Sequence, residues 1–223
     1  MEHTRRSLLA GAAVTGVAGV AGCLGGGSGG GGGTDLDTSA YDCELGEPAD
    51  ADQSYRPVIG DRDADVVVRA FEDFTCGHCA TYKLDHFPTI REEYIDTGQV
   101  RYEHWDFPIP VDEAWAVPVA SAARGVGERE GDDAFFAFAS AVYESHGSYD
   151  GQSIGDAAEA AGADPCAALA DAQFATYEDA AMSDREEGES MGVSGTPTIF
   201  VNGSPVEEGY AAESVMAAID AEL

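Results

Sequence analysis

The chain has five cysteines, Cys23, Cys43, Cys76, Cys79 and Cys166, and only two stand close together, in Cys76-Gly77-His78-Cys79. Two thiols at that spacing can exchange with a disulfide if the first begins a helix. A helix N-terminus presents unpaired N–H groups and a partial positive charge. Both favour a thiolate, which is the attacking species in disulfide exchange. The second cysteine then lies one turn inward, where it can close a ring with the first or expel a bound partner. His78, between them, adds positive charge beside the thiolate when protonated. A zinc site would need about four ligands, usually with a second Cys/His pair. Here His86, His104, His146, Cys43 and Cys166 are isolated in the sequence. The pair therefore reads as a redox-active dithiol needing no metal and no organic cofactor, ahead of half a zinc site or a purely structural disulfide.

A second candidate lies more than a hundred residues on, in Gly192-Val193-Ser194-Gly195-Thr196-Pro197-Thr198. A proline opening a strand is tolerated at its first residue. Because this one follows a Cys-x-x-Cys and leads into a hairpin, the pattern predicts a cis Thr196–Pro197 bond. Such a bond turns the chain sharply and leaves neighbouring backbone groups free.

These residues need elements to position them. Tyr55 to Gly60 reads as a short strand, and the β-branched run Asp65 to Phe71 as a buried one. A helix is expected from about Gly77 to Asp96, ending before Gly98. Gln99 to Phe107 alternates as a second long strand and stops at Pro108 and Pro110. Residues 112 to 191 read as helices, with Phe135, Phe136, Phe138, Val142 and Tyr143 on an apolar face. Pro118 kinks or starts the first of them. Pro165 opens a last long helix reaching about Gly188. Pro197 to Val201 is a strand, Asn202-Gly203 a hairpin turn, Val206 to Glu208 the return strand, and Ala211 to Leu223 a terminal helix.

The segment Phe74-Thr75-Cys76-Gly77-His78-Cys79, together with Gly192 to Gly203, resembles the thioredoxin-fold disulfide oxidoreductases. The long helical insertion makes it similar to the DsbA-like branch, over about Tyr55 to Leu223. The resemblance implies an α/β, thioredoxin-like fold, a βαβ … ββα sheet with a helical insertion. It implies that Cys76 is the nucleophile, Cys79 the buried resolving cysteine and Pro197 the cis-proline beside them. Thr196 would pair through its backbone with an extended client, by strand addition. Gly77 departs from the proline of DsbA itself; Cys-Gly-His-Cys is the form of protein disulfide isomerases and implies a less extreme oxidant. Relatives carry an acid six positions before the nucleophile, where this chain has Ala70. Glu72 would face the same side of the strand. It is expected as a solvated or hydrogen-bonded acid near the strand end rather than as a proton relay to Cys79.

Asp and Glu number 42 against 11 Lys and Arg, for a formal charge of −31. That excludes nucleic-acid binding through a basic surface and polybasic membrane recognition. Lys83 is the only lysine. Charge of this size is tolerated where molar salt shortens the Debye length to about 3 Å, so the acidity reads as adaptation to a hypersaline medium, of haloarchaeal type, ahead of an acidic surface for a basic partner.

Thr4-Arg5-Arg6-Ser7-Leu8-Leu9 is a twin-arginine pattern, and Leu8 to Val20 is too short for a membrane span, which takes about 20 residues. Val20-Ala21-Gly22-Cys23 resembles a lipobox, making Cys23 the expected site of lipidation. Gly25 to Gly33, glycine except for Ser28, reads as a flexible tether. The expected organisation is a signal peptide over 1–22, a lipidated cysteine and tether over 23–43, and a thioredoxin-like domain over 44–223 with its insertion at about 112–191.

Cys43 and Cys166 either pair with each other or leave Cys166 a buried thiol. Phe74, Trp105 and Val193 read equally as groove or core, and Trp115 as insertion core. Asn202-Gly203-Ser204 fits a glycosylation acceptor, but the turn reading is preferred. The expected function is extracytoplasmic disulfide exchange with client proteins bearing cysteines or disulfides, as oxidase or isomerase, at the outer face of the cytoplasmic membrane. A membrane redox partner would reset the dithiol. A disulfide reductase, and a non-catalytic binding module or chaperone on the same fold, are the alternatives.

Overall fold

The chain's two long apolar runs become the centre of one sheet. In the computed structural model, β2 (Val66–Glu72) and β3 (Val100–Asp106) run parallel, with Val68 opposite Tyr102 and Ala70 opposite His104. β1 (Val58–Gly60) pairs antiparallel with β3, and β4 (Thr198–Val201) antiparallel with β2. β5 (Ser204–Pro205) closes the order β1-β3-β2-β4-β5. The structure describes residues 36–223 except Pro110 and Glu208. The twin-arginine pattern, Cys23 and the glycine run lie outside the described residues.

The βαβ crossover is a helical run from Gly77 to Ile95. It comprises α1 (Gly77–Thr81), a π-helical turn over Tyr82–His86, α2 (Phe87–Ile90) and a second π-helical turn over Arg91–Ile95. Pro88 stands in the first turn of α2, where its missing N–H costs least. Five helices follow β3: α3 (Ala116–Glu130), α4 (Asp132–Tyr143), α5 (Gly151–Ala160), α6 (Pro165–Phe174) and α7 (Glu178–Ser190). α8 (Ala212–Asp220) ends the fold. This is the thioredoxin-like sheet with a helical insertion expected from the motifs.

Two local expectations are corrected. The long helix from Pro165 is two helices, broken where Ala175 takes a left-handed conformation (φ 49°) and the Thr176 N–H turns back to the Asp171 carbonyl. The return strand lies at Ser204–Pro205, not Val206 to Glu208. Asn202 and Gly203 both have positive φ, and a two-residue turn of that type forces Val201 opposite Ser204. That turn engages Asn202 fully: its Oδ1 accepts from the Val67 N–H and its Nδ2 donates to Glu222.

The main core lies between the sheet and the insertion and includes Val68, Tyr82, Tyr102, Phe135, Phe136 and Phe138. A smaller cluster, Phe71, Phe107, Val193 and Phe200, with Trp105 beside it, packs elsewhere on the sheet. Gly188 on α7 has no room for a side chain there, because a Cβ would stand 2.8 Å from the Phe107 ring. Ahead of β1, the segment from Leu36 is held along the insertion. Leu36 N–H donates to Gln173, and a Cys43–Cys166 disulfide joins residues 123 apart.

Candidate active site

β2 delivers the chain to the start of α1 through Asp73-Phe74-Thr75, and this short loop is held from several sides. The Asp73 carboxylate, almost fully buried, accepts from the Thr75 N–H (2.6 Å), the Thr75 hydroxyl (2.8 Å) and the Ile109 N–H (2.6 Å). Burial raises its pKa, against the pull of those hydrogen bonds. The insertion takes the loop's three successive carbonyls. Tyr143 donates to Asp73 (3.2 Å), Tyr149 to Phe74 (2.6 Å) and His146 Nε2 to Thr75 (2.9 Å). The geometry therefore fixes a proton on Nε2 of His146. The helical insertion thus sets where Cys76 stands.

Cys76 is the N-cap of α1, and its carbonyl accepts from the N–H groups of Cys79 (3.0 Å) and Ala80 (3.1 Å). Its Sγ lies 3.3 Å from the Thr196 carbonyl oxygen, across the cis Thr196–Pro197 bond. The two separated motifs meet at this point. Cys76 is pulled down to about 5, first by a hydrogen bond from the Cys79 thiol, against burial, and then by Thr196 and the N–H groups of Cys79 and His78. Thr196 Oγ1 is buried and makes no other hydrogen bond among the described residues.

Cys79 is fully buried, and the Asp73 N–H points at its sulfur (3.5 Å). Burial pushes its pKa well up, with Cys76 and the charge of Glu72 adding to the effect. The two sulfurs are free thiols of opposite character, one a ready thiolate and the other a reluctant acid. His78 is exposed. Its imidazole lies 5.8 Å from the Tyr210 ring, and its backbone N–H is what it lends to Cys76.

Glu72 is not solvated, as the sequence reading allowed. It is fully buried, with Oε1 accepting from Lys83 Nζ (2.9 Å) and facing His104 Nδ1 (3.3 Å). Burial works to raise its pKa, but Lys83 and then His104 outweigh it and hold the carboxyl below its ordinary value. Its Oε2 is buried without a hydrogen-bond partner among the described residues. The only lysine of the chain is thus buried against Glu72, its ammonium 4.3 Å from the Phe87 ring.

The network continues away from the sulfurs. His104 Nε2 meets Asp106 (3.0 Å), Asp106 meets Arg124, and Arg124 bonds Asp184, which is held bidentately by Arg56 (2.9 and 2.6 Å). Arg56 in turn lies over the Trp105 ring at 3.3 Å. Asp73, Lys83, His104, Tyr143, His146 and Tyr149 were not singled out as site residues from sequence. Asp73 carried a signal, since an Asp two residues before a Thr favours an Asx turn. The others are brought in by tertiary packing alone. Phe74 and Val193 are core, and Trp105 is half-buried on the sheet.

Among the described residues no cluster of ligands fit for a metal ion is found. No helix among them is long and apolar enough to cross a membrane.

A model of the family described as thioredoxin (Thioredoxin_4) matches residues 52–221. Disulfide bond formation protein D of Bacillus subtilis is 25% identical over 188 residues, covering 82% of this chain and 82% of that protein. Probable disulfide bond formation protein D of Bacillus anthracis is 26% identical over 172 residues, 74% of this chain and 77% of that one. Among solved structures, oxidised BdbD of Bacillus subtilis superposes with a TM-score of 0.67 at 23% identity, covering 81% of this chain and 98% of its own. DsbA of Chlamydia trachomatis gives 0.65 at 18% identity, covering 78% and 96%. These two likenesses are of fold.

Proposed function

The chain belongs to the thioredoxin family and is a protein thiol–disulfide oxidoreductase; we propose that it works outside the cytoplasm as an oxidase or isomerase of client proteins. The observation that carries this reading is the meeting of the two motifs: Cys76, the N-cap of α1, has its Sγ 3.3 Å from the Thr196 carbonyl beside the cis Thr196–Pro197 bond, while Cys79 is fully buried.

In the oxidising direction a client thiolate attacks Cys76 Sγ of the Cys76–Cys79 disulfide. The Cys76–Cys79 bond breaks, and Cys79 leaves with the electron pair and takes up a proton. A second client thiolate then attacks the client sulfur of the mixed disulfide. The client disulfide forms, and Cys76 leaves as a thiolate. A low-pKa thiol leaves faster, so the depressed Cys76 favours completion of this step. The client segment is positioned as a strand beside Thr196 and Pro197, with loose sequence preference. In the other direction Cys76 attacks a client disulfide and Cys79 resolves. No metal or organic cofactor enters either sequence of steps.

The destination rests on the N-terminal sequence. A twin-arginine signal exports the folded chain, Cys23 carries lipid after cleavage, and the glycine run tethers the domain at the outer face of the membrane. One acyl chain binds only marginally, so retention there takes two or more. A membrane redox partner returns the dithiol to the disulfide. The charge of −31 fits a working medium of molar salt.

Equilibrating the protein with glutathione buffers in molar salt, and mass-labelling the thiols at Cys76 and Cys79, tests the reading. A potential of about −120 to −180 mV supports the oxidase or isomerase, and one of about −270 mV or lower makes it a reductase. Absence of reversible two-electron exchange at this pair leaves a binding module.

A further inference from the structure

A cavity lies between the loop that delivers Cys76 and the insertion. It holds about 280 Å³, with Thr75, Val111, Asp112, Trp115, His146 and Tyr149 in its wall. Thr75 is the residue before the nucleophile, and consecutive Cα atoms stand about 3.8 Å apart. His146 reaches the residue after it: a Cβ placed on Gly77, which is exposed, would lie 3.5 Å from the His146 ring. The cavity wall therefore touches the residues on either side of Cys76, and position 77 puts no side chain over it.

Much of the wall is made of rings. Tyr149 is buried, and Trp115 and His146 are inclined to it by 58° and 85°, with centroids 6.2 and 6.3 Å away. The Tyr149 hydroxyl and His146 Nε2 are spent on the carbonyls of Phe74 and Thr75. Trp115 is half-buried, so part of its surface meets solvent. Asp112, three residues before it, is exposed, and its Oδ1 accepts from the Ala114 N–H (3.1 Å), which holds the carboxylate ahead of α3. Among the described residues no lysine or arginine lines the cavity. Rings beside a carboxylate suit a cation: the face of a tryptophan attracts one, and the carboxylate accepts its N–H groups. A guanidinium is planar and weakly hydrated, so it stacks on a ring and still presents N–H groups to an acid.

We propose that this cavity is a subsite for an arginine of the client, next to the client cysteine, and that Trp115 and Asp112 determine the preference. This rests on the exchange reading of the dithiol. In a mixed disulfide the Cα atoms of Cys76 and the client cysteine stand about 5.5–6 Å apart. A neighbouring arginine has a three-methylene stem with which to pass Thr75 and enter the cavity. Backbone pairing at Thr196 holds a client of any sequence, and the cavity adds a preference for a basic one. The sign agrees with the chain as a whole, whose charge of −31 draws a cationic segment and repels an acidic one.

The full-length reduced protein is mixed with short peptides whose single cysteine carries nitrothiobenzoate in a disulfide. The Cys76 thiolate attacks the peptide sulfur. The Cys76–peptide bond forms, the peptide–nitrothiobenzoate bond breaks, and nitrothiobenzoate leaves with the electron pair as a coloured thiolate. The peptides differ only beside the cysteine, before or after it in turn, where they carry arginine, citrulline or phenylalanine. Citrulline has the shape of arginine without its charge. Molar salt shortens the Debye length to about 3 Å and removes the pull of the overall charge. In the native protein the arginine peptide at its better position reacts about fivefold faster than its citrulline counterpart, as for a cation on a partly exposed ring. Trp115→Leu brings that ratio below about twofold. Asp112→Asn, which keeps an acceptor for the Ala114 N–H, lowers it by about half.

Equal rates for the arginine and citrulline peptides at both positions overturn the subsite while the exchange reading stands. So does a phenylalanine peptide faster than the arginine one, which makes the cavity an apolar slot. A ratio carried undiminished into both variants assigns the preference to overall charge and overturns the subsite as well. If Trp115→Leu does not fold, Asp112→Asn decides: a ratio equal to the native one overturns the proposal. A native protein that releases nitrothiobenzoate from none of the peptides overturns the exchange reading and the subsite with it.

Discussion

Replacing Cys79 with alanine removes the largest influence on Cys76, the hydrogen bond from the neighbouring thiol, and leaves the start of α1 in place. The native fall from 9.0 to about 5 corresponds, at about 1.4 kcal/mol per unit, to a stabilisation of the thiolate on the order of 5 kcal/mol. Because the pKa is depressed on folding, this contribution is complete above the unfolded value of 9.0 and is lost as pH falls through about 5. At pH 7, midway between the two, about 3 kcal/mol remains. Only the reduced form carries the thiolate, so at pH 7 the dithiol becomes more oxidising by about 60 mV. A hydrogen bond to a charged group contributes about 1.5–3 kcal/mol, so Cys79→Ala raises the Cys76 midpoint to between about 6 and 7. Cys79→Ser keeps a donor and stays near the native midpoint. The pH dependence of Cys76 alkylation by iodoacetamide reads both. A native midpoint at or above about 8, or a Cys79→Ala midpoint equal to the native one, refutes the reasoning.

Lys83→Met leaves Glu72 buried with one cation fewer and lowers stability by about 3–5 kcal/mol in denaturant titrations in molar salt. Adding Glu72→Gln recovers most of the loss. Removing the Cys43–Cys166 disulfide as a double serine variant opens a link between residues 123 apart and costs about 4–5 kcal/mol in the chain-entropy model, with the alkylation midpoint of Cys76 unchanged. Tyr149→Phe loses the bond to the Phe74 carbonyl and lowers the unfolding free energy by about 1 kcal/mol. Diluting the protein from molar to low salt unfolds it by self-repulsion, followed by circular dichroism; a native spectrum in dilute buffer counts against adaptation to a saline medium.

Local patterns were legible where a residue's effect is local. The β-branched run of β2, the alternation of β3 and the helix after Cys76 follow from periodicity and propensity. The Asn202-Gly203 turn was legible as well, but its register was not, because the two-residue geometry pairs Val201 with Ser204 rather than with a residue further on. The break at Ala175 had no sequence mark, since no glycine or proline stands there. The Cys43–Cys166 pairing was open in the sequence and is made in the structure, because the segment before β1 lies along the insertion.

The dithiol and the Thr196-Pro197 motif were determined by the sequence itself, because the chemistry of each is carried by adjacent residues. Composition likewise determined the charge, and with it the exclusion of a basic binding surface. Only the tertiary structure decided what surrounds the sulfurs. Glu72 read as either a solvated or a hydrogen-bonded acid near the strand end, and packing made it the second, closed in with Lys83 and His104. The carbonyls of Asp73, Phe74 and Thr75 found donors on an insertion some seventy positions away. A buried charge is tolerated only where its partners converge on it. That convergence is a property of three-dimensional packing between β2, β3, the helical run and the insertion, and no periodicity in the chain records it.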